Sequence, residues 1–437
     1  MSTAASVDAP SAAPQLLRVV GRWDLVALVI NGIVGAGIFG LPAKVDALIG
    51  AWGVLAIIAC AVLIGVIVLC FAEVSSRYAE TGGPFLYATD AFGPFVGFVV
   101  GWLLWLARIA GICAIVGILA EYVAFLVPGM DAGLPRAVLL TVVILGFTAL
   151  HIAGVRQAVR IGNLITIAKL VPLVLFVAIG LPTLNADVFD LRVVPDRAAF
   201  SSSVLLLGFA FVGWETAVVA AGELREPKRD TPFALFVGLA IVVVLYAGIQ
   251  LVCRAALPQL ATSTRPLADA AAALIGPIGG TVIVLGAAVS MLGTINGGML
   301  TISRIPYAMA TAGLVPRQLA RLHPTTHSPV TAIVLSAGLV LLLSLTSTHV
   351  YVLTLSTIAR LLVFGVTCAA LPVLRRTSGA PAARFTVSGG LAVPVAALVL
   401  IGWLLTSTSG RETLHVVYAT VIGSIGYAIG RWRAAAR

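Results

Sequence analysis

The sequence predicts an all-α membrane protein of twelve transmembrane helices. Three observations predict it. Of 437 residues, 60% are hydrophobic and only 10% are charged. Soluble globular chains have about 25% charged residues, so most of this chain lacks a wet surface. The mean hydropathy is +1.11. Apolar runs recur along the whole length, and about 18 such residues suffice to cross the hydrocarbon of a bilayer. Barrel strands would be alternating runs of about ten residues, whereas the runs here are longer and continuously apolar.

Residues 1–17 are rich in Ala, Ser and Pro and lack a basic start. The first apolar run is too long for a cleaved signal, so 1–23 reads as a disordered cytoplasmic tail. The first span, 25–48, is interrupted by Gly32-Ile33-Val34-Gly35-Ala36-Gly37-Ile38-Phe39-Gly40. The second, 52–76, is almost wholly apolar. The third, 93–127, carries Arg108 midway, after Trp102 and Trp105. The fourth is 136–153, and the fifth, 161–182, holds Lys169 before Pro172. The sixth, 201–222, contains a second break, Gly208-Phe209-Ala210-Phe211-Val212-Gly213-Trp214-Glu215. The remaining spans are 233–256, 277–305, 329–347, 350–373, 390–408 and 413–430. This divides the chain into a tail, a ten-helix core over 24–376, and a 377–437 segment with two further helices and a short cytoplasmic end.

Most of the 27 basic residues fall on alternate loops, among them Arg18, Arg22, Arg156, Arg160, Arg225, Lys228, Arg229, Arg375 and Arg376. Cytoplasmic loops carry such an excess, so both termini are expected inside the cell. The bias accounts for the net charge of +10 without nucleic acid, since no soluble face is left to bind it. The five cysteines are scattered with no C-x-x-C and read as small core residues. The five histidines show no metal-ligand spacing. No nucleophile–base arrangement stands out, so neither an enzyme nor a metal or cofactor is expected.

Gly35-Ala36-Gly37-Ile38-Phe39-Gly40 matches the letters of a dinucleotide fingerprint. That fingerprint needs a preceding strand and an acid about 20 residues on. Here the corresponding stretch, Leu55-Ala56-Ile57-Ile58-Ala59-Cys60, is apolar. Two readings remain. One is close helix packing through small residues. The other is an unwound helix, which is tolerated at membrane depth only beside a polar cavity. Free N–H groups at a half-helix start attract a carboxylate, and free carbonyls at a half-helix end attract a cation. A site offering both suits a zwitterion. Paired glycine-interrupted spans in the two halves of a chain point to a transporter's binding site.

Ionisable residues within spans are costly and mark functional sites by default. Lys169 is either a proton carrier, a fixed ammonium in the place of a sodium ion, or a snorkelling side chain. Glu215 is either a protonatable carboxylate near a substrate amine or a structural partner. Arg108 needs a partner, and Glu215 or a ligand carboxylate would serve. Arg360 and Glu121 lie nearer span ends and are expected to snorkel.

At these residues the chain resembles the amino acid–polyamine–organocation family of permeases. Four stretches carry the resemblance: Gly35-Ala36-Gly37-Ile38-Phe39; Thr81-Gly82-Gly83-Pro84-Phe85-Leu86-Tyr87; Phe209 to Glu215 continuing through Glu223-Leu224-Arg225-Glu226-Pro227-Lys228-Arg229-Asp230-Thr231-Pro232; and Ser303-Arg304-Ile305-Pro306-Tyr307 with Gly313-Leu314-Val315-Pro316. The resemblance implies a five-plus-five inverted repeat with broken first and sixth helices, plus two C-terminal helices. It implies a substrate α-carboxylate on the N–H groups of Ala36, Gly37 and Ile38. The α-ammonium would meet carbonyls near Ile33 and those of Phe209, Ala210 and Val212. Phe209 would stand as an aromatic gate, and Lys169 would replace sodium and couple a proton. Arg108 and Trp214 depart from the family's usual pattern, which leaves the substrate open. The function expected is sodium-independent, proton-coupled amino-acid uptake across the cell membrane. An amino acid or amine exchanger is the alternative, and a membrane sensor is more remote because the chain ends are short.

Overall fold

The computed structural model describes residues 15–346, 348–406 and 410–435. Among these, the chain is helical throughout, and its one extended pairing is a parallel bridge between Val20 and Leu224. In chain order the helices are α1 (Arg22–Ile33), α2 (Leu41–Ile49), α3 (Gly53–Ser75), α4 (Pro84–Phe92), α5 (Pro94–Leu126), α6 (Gly133–Ala153), α7 (Val155–Gly180) and α8 (Arg197–Ala210). They continue with α9 (Thr216–Val219), α10 (Pro227–Ala256), α11 (Pro266–Ile275), α12 (Pro277–Thr311), α13 (Val330–Thr346), α14 (His349–Arg376), α15 (Ala392–Thr406) and α16 (Gly410–Ala435).

Among the described residues, seven helical stretches are long and apolar enough to cross a membrane, and α8, α11, α13, α15 and Leu414–Ile429 are shorter apolar helices. The first and sixth expected spans are interrupted, as the resemblance implies. The first is split into α1 and α2, and the sixth into α8 and the four-residue α9. Two short helices, α4 and α11, were not expected. Each begins with proline and ends at a Gly–Pro junction, Gly93–Pro94 and Gly276–Pro277. Each then leads into a helix of more than 30 residues, with the junction glycines at φ 91° and 78°.

The outward faces are apolar, as a lipid environment requires. On α7, Leu164, Ile167, Val171 and Val174 are exposed, while Thr166, Lys169, Leu173 and Phe176 are buried. The 3.6-residue period thus turns Lys169 inward. Inside, α1 lies against α7, α10 and α12, and α5 lies against α12 and α14. All five cysteines are buried. Of the expected tail, residues 1–14 lie outside the described ones. Val20 is anchored: its N–H donates to the Glu223 carbonyl and its carbonyl accepts from the Arg225 N–H, each at 3.0 Å.

Candidate functional site

Both breaks are real but begin later than the glycine runs indicate. Gly32 and Ile33 complete α1, and the chain leaves the helix at Val34. A single 3-10 turn over Gly37–Phe39 follows, before α2. Gly208, Phe209 and Ala210 belong to α8, and the second break spans Phe211 to Glu215. Gly208 marks no break because only helical backbone is needed there. Gly213 lies in the second break at φ 124°.

The breaks cross. A Cβ on Gly32 would lie 2.3 Å from the Gly213 carbonyl oxygen, and one on Gly213 would lie 2.1 Å from the Gly32 oxygen. Glycine at both positions lets two backbones meet at a distance that any side chain would forbid. Nearby, Gly37 faces Ala210, with 3.6 Å separating a Cβ built there from the alanine Cβ.

At the first break the turn's hydrogen bonds are donated by the N–H groups of Val34, Gly35, Phe39 and Gly40. Ala36, Gly37 and Ile38 are not among those donors, and Gly37 is exposed while Ile38 is buried. The end of α1 leaves carbonyls without helical donors, and side chains from three helices meet them. Lys169 Nζ on α7 donates to the Val34 oxygen at 2.7 Å and lies 3.4 Å from the Asn31 oxygen. Ser290 Oγ on α12 donates to the Val34 oxygen at 2.7 Å, and Thr294 Oγ1 to the Asn31 oxygen at 2.9 Å. The Tyr246 hydroxyl on α10 bridges the Ile33 and Ala210 oxygens at 3.2 and 3.4 Å. One phenol therefore joins the two breaks.

Lys169 is fully buried and does not snorkel. It stands where carbonyls at a helix end would otherwise attract a cation. Below it, Asn31 Nδ2 donates to Thr166 Oγ1 and to the Gly162 oxygen. Asn31 and His151 line a cavity of about 20 Å³, together with Asp24 and Asn163. Asn31 Oδ1 and His151 Nδ1 are buried there without hydrogen-bond partners, and a space of that size suits a single water.

Glu215 is fully buried. Its Oε2 accepts the Gly213 N–H at 2.8 Å, which ties the carboxylate to the second break. Its Oε1 faces Arg108 Nη2 at 3.1 Å and Arg360 Nη1 at 3.5 Å. The expectation that Arg360 snorkels is thus corrected, because the buried carboxylate draws its guanidinium inward. Behind this cluster Trp214 stacks on Phe364 and meets Phe71 edge-on, with centroids at 5.0 and 4.8 Å.

The structure brings Ile33, Ala210 and Lys169 to one place, with Ala36, Gly37 and Ile38 on the adjoining turn. Arg108 and Glu215 form a second group attached to the same break. Val212 lies in the second break, between Ala210 and Glu215 along the chain. Phe209 is half-exposed, whereas it is Phe211 that is buried against Tyr246, with centroids at 5.3 Å. Sequence reasoning missed Tyr246, Ser290 and Thr294, and assigned Arg360 to a span end. A lone hydroxyl in the apolar run Val242-Val243-Val244-Leu245-Tyr246 is a signal for the first, since a buried hydroxyl seeks a partner. Ser290 and Thr294 are four residues apart, which places both on one helix face.

The arrangement offers donors, acceptors and four charged side chains around a point where two helices are interrupted, with no nucleophile–base pair among them. Comparison with known proteins places the chain in a family. The sequence profile of the amino acid permease family matches residues 20–426. The serine/threonine exchanger SteT of Bacillus subtilis (strain 168) is 27% identical over 94% of this chain and 95% of its own length. The methylthioribose transporter of the same organism is 25% identical over 97% and 95%. The large neutral amino acids transporter small subunit 2 of Oryctolagus cuniculus is 26% identical over 82% and 70%. The chain belongs to the amino acid permease family, a multi-pass membrane protein among transporters of the amino acid–polyamine–organocation group.

Proposed function

We propose that this protein takes up amino acids across the cell membrane by alternating access, coupled to protons and independent of sodium. The observation that carries the reading is the crossing of two broken helices at Gly32 and Gly213, with the Lys169 ammonium on the carbonyls at the end of α1. The free turn at Ala36, Gly37 and Ile38 supports a carboxylate cradle, and a substrate ammonium would share the Ile33 and Ala210 carbonyls with Tyr246. Phe209 and Val212 would add their carbonyls beside these. Lys169 would carry the coupling proton and make a sodium ion unnecessary. The matched Gly–Pro junctions before α5 and α12 support a five-plus-five inverted repeat, within twelve spans whose first and sixth are broken. The excess of basic residues on alternate loops supports cytoplasmic termini. Rocking of one helix set against the other would then open the crossing to each side in turn.

The test is uptake of a labelled amino-acid and amine panel by proteoliposomes under an imposed pH gradient. Uptake should need the gradient and ignore sodium. Lys169→Ala should abolish the gradient's effect while the protein stays folded, and unchanged pH dependence in that variant would sink the coupling role. Likeness to a relative named as an exchanger favours a second reading, obligatory exchange. Uptake that requires internal amino acid and ignores the pH gradient would establish it instead.

A further inference from the structure

Among the described residues, the charges at the second break do not balance. Arg108 and Arg360 approach one and the same oxygen of Glu215, so two guanidinium groups share one carboxylate. Arg108 is 4% exposed and Glu215 0%. An unpaired charge in such surroundings is heavily penalised. The neighbouring buried pair, Glu223 with Arg304, is matched one to one. Glu73 also faces two arginines, Arg77 and Arg375. There, however, the extra N–H groups are used on the Pro381, Val387 and Gly390 carbonyls. At the second break neither arginine bonds a carbonyl in this way: Nε and Nη2 of Arg108 and Nε of Arg360 have no hydrogen-bond partner, whereas at Glu73 Nε of Arg77 alone lacks one.

The surplus cation is also held in place. Ser356 Oγ donates to the Ala107 carbonyl at 2.7 Å, which fixes α14 against α5 beside both arginines. A Cβ on Gly111 would lie 2.6 Å from Arg360 Nη2, so glycine there makes room for the guanidinium. The Arg360 side chain keeps 15% exposure, against 5% for that of Arg108. Glu215 hangs from the Gly213 N–H, so the cluster adjoins the crossing of the two helices.

We infer that Arg108 and Arg360 bind a second negative group of the substrate, and that this permease prefers dicarboxylic amino acids to neutral ones. The inference rests on the transporter reading above. The breaks would hold the α-carboxylate and α-ammonium common to all amino acids. A side-chain carboxylate between the arginines would then supply the missing negative charge. A neutral side chain would leave that charge uncompensated, and a cationic one would add to it.

The experiment compares L-glutamate and L-aspartate with their near-isosteric amides, L-glutamine and L-asparagine. It uses the full-length protein, by thermal shift in detergent and by uptake into proteoliposomes. At least one acid should bind more than tenfold tighter than its amide. Arg360→Gln should cut that acid-to-amide ratio at least tenfold. Gly111→Ala should do the same by displacing the Arg360 end, and it keeps the charge should Arg360→Gln fold poorly. Amides that bind as well as acids would overturn the inference while leaving the transporter reading intact. So would stabilisation by chloride, against gluconate, with none by either acid, because the anion would then come from the bath. Failure of every amino acid to bind or move would overturn the transporter reading, and this inference with it.

Discussion

Tyr246 does at the scale of one residue what the fold does at large: it joins the two breaks. Its hydroxyl reaches the Ile33 and Ala210 oxygens, and its ring packs against Phe211. Phenylalanine would keep the ring and lose the bridge. Tyr246→Phe should therefore cost about 1 kcal/mol of stability, the net worth of a typical buried hydrogen bond. If the bridge also pre-positions the carbonyls for substrate, the apparent KM should rise by up to about fivefold with kcat nearly unchanged. Uptake kinetics on the folded variant decide the matter, and an unchanged KM would confine the hydroxyl to stability. The chemistry at this scale was only partly legible in the sequence. Lys169, Arg108 and Glu215 announce themselves because charge within an apolar run is costly. Ser290 and Thr294 do not, because a short hydroxyl in a span can satisfy itself on its own helix, and the Tyr246 hydroxyl signals a need for a partner without naming it. Only the meeting of α10 and α12 with the end of α1 shows that these three reach across.

Among the elements, the two interrupted helices are where sequence and structure agree in kind and differ in place. The glycine runs foretold both interruptions. They also placed Gly208 in the second one, where the structure has regular helix. A run of small residues signals tolerance of bending, while the bend itself falls where another backbone passes. That contact lies between Gly32 and Gly213, far apart in sequence, so local pattern could not reveal it. The difference is testable with two alanines. Gly213→Ala meets the Gly32 carbonyl at 2.1 Å with φ at 124°. Left-handed backbone and overpacking together cost on the order of 3 kcal/mol, and transport should be lost. Gly208→Ala meets only Leu404 at 3.8 Å within a helix. It should be neutral, or stabilising by up to about 1 kcal/mol, because alanine favours helix over glycine. Thermal unfolding of the two proteins side by side gives the answer, and equal stabilities would refute the crossing.

For the whole molecule, the tail of the second break is fastened to two distant parts of the chain. Val20, just before α1, pairs with Glu223 and Arg225 along the backbone. The Glu223 carboxylate takes Arg304 of α12 through Nε at 3.1 Å and Nη2 at 2.6 Å, with both side chains 1% exposed. Both residues lie in the stretches that carry the family resemblance, so the sequence marked them, although it could not pair them. Removing one partner of such a buried pair strands the other's charge and costs about 3–5 kcal/mol, whereas replacing both with apolar groups of similar volume is often neutral. Arg304→Met should therefore be severely destabilised in a thermal-shift assay. Arg304→Met combined with Glu223→Leu should regain most of the loss. This fastening couples α12 to the segment between the second break and α10, and under the proposed alternating access these elements would shift relative to one another. The double variant's transport then separates two roles. If it is as stable as the parent and transports at the parental rate, the ion pair serves stability alone. If it is as stable and transports poorly, the pair serves the transport cycle as well as stability.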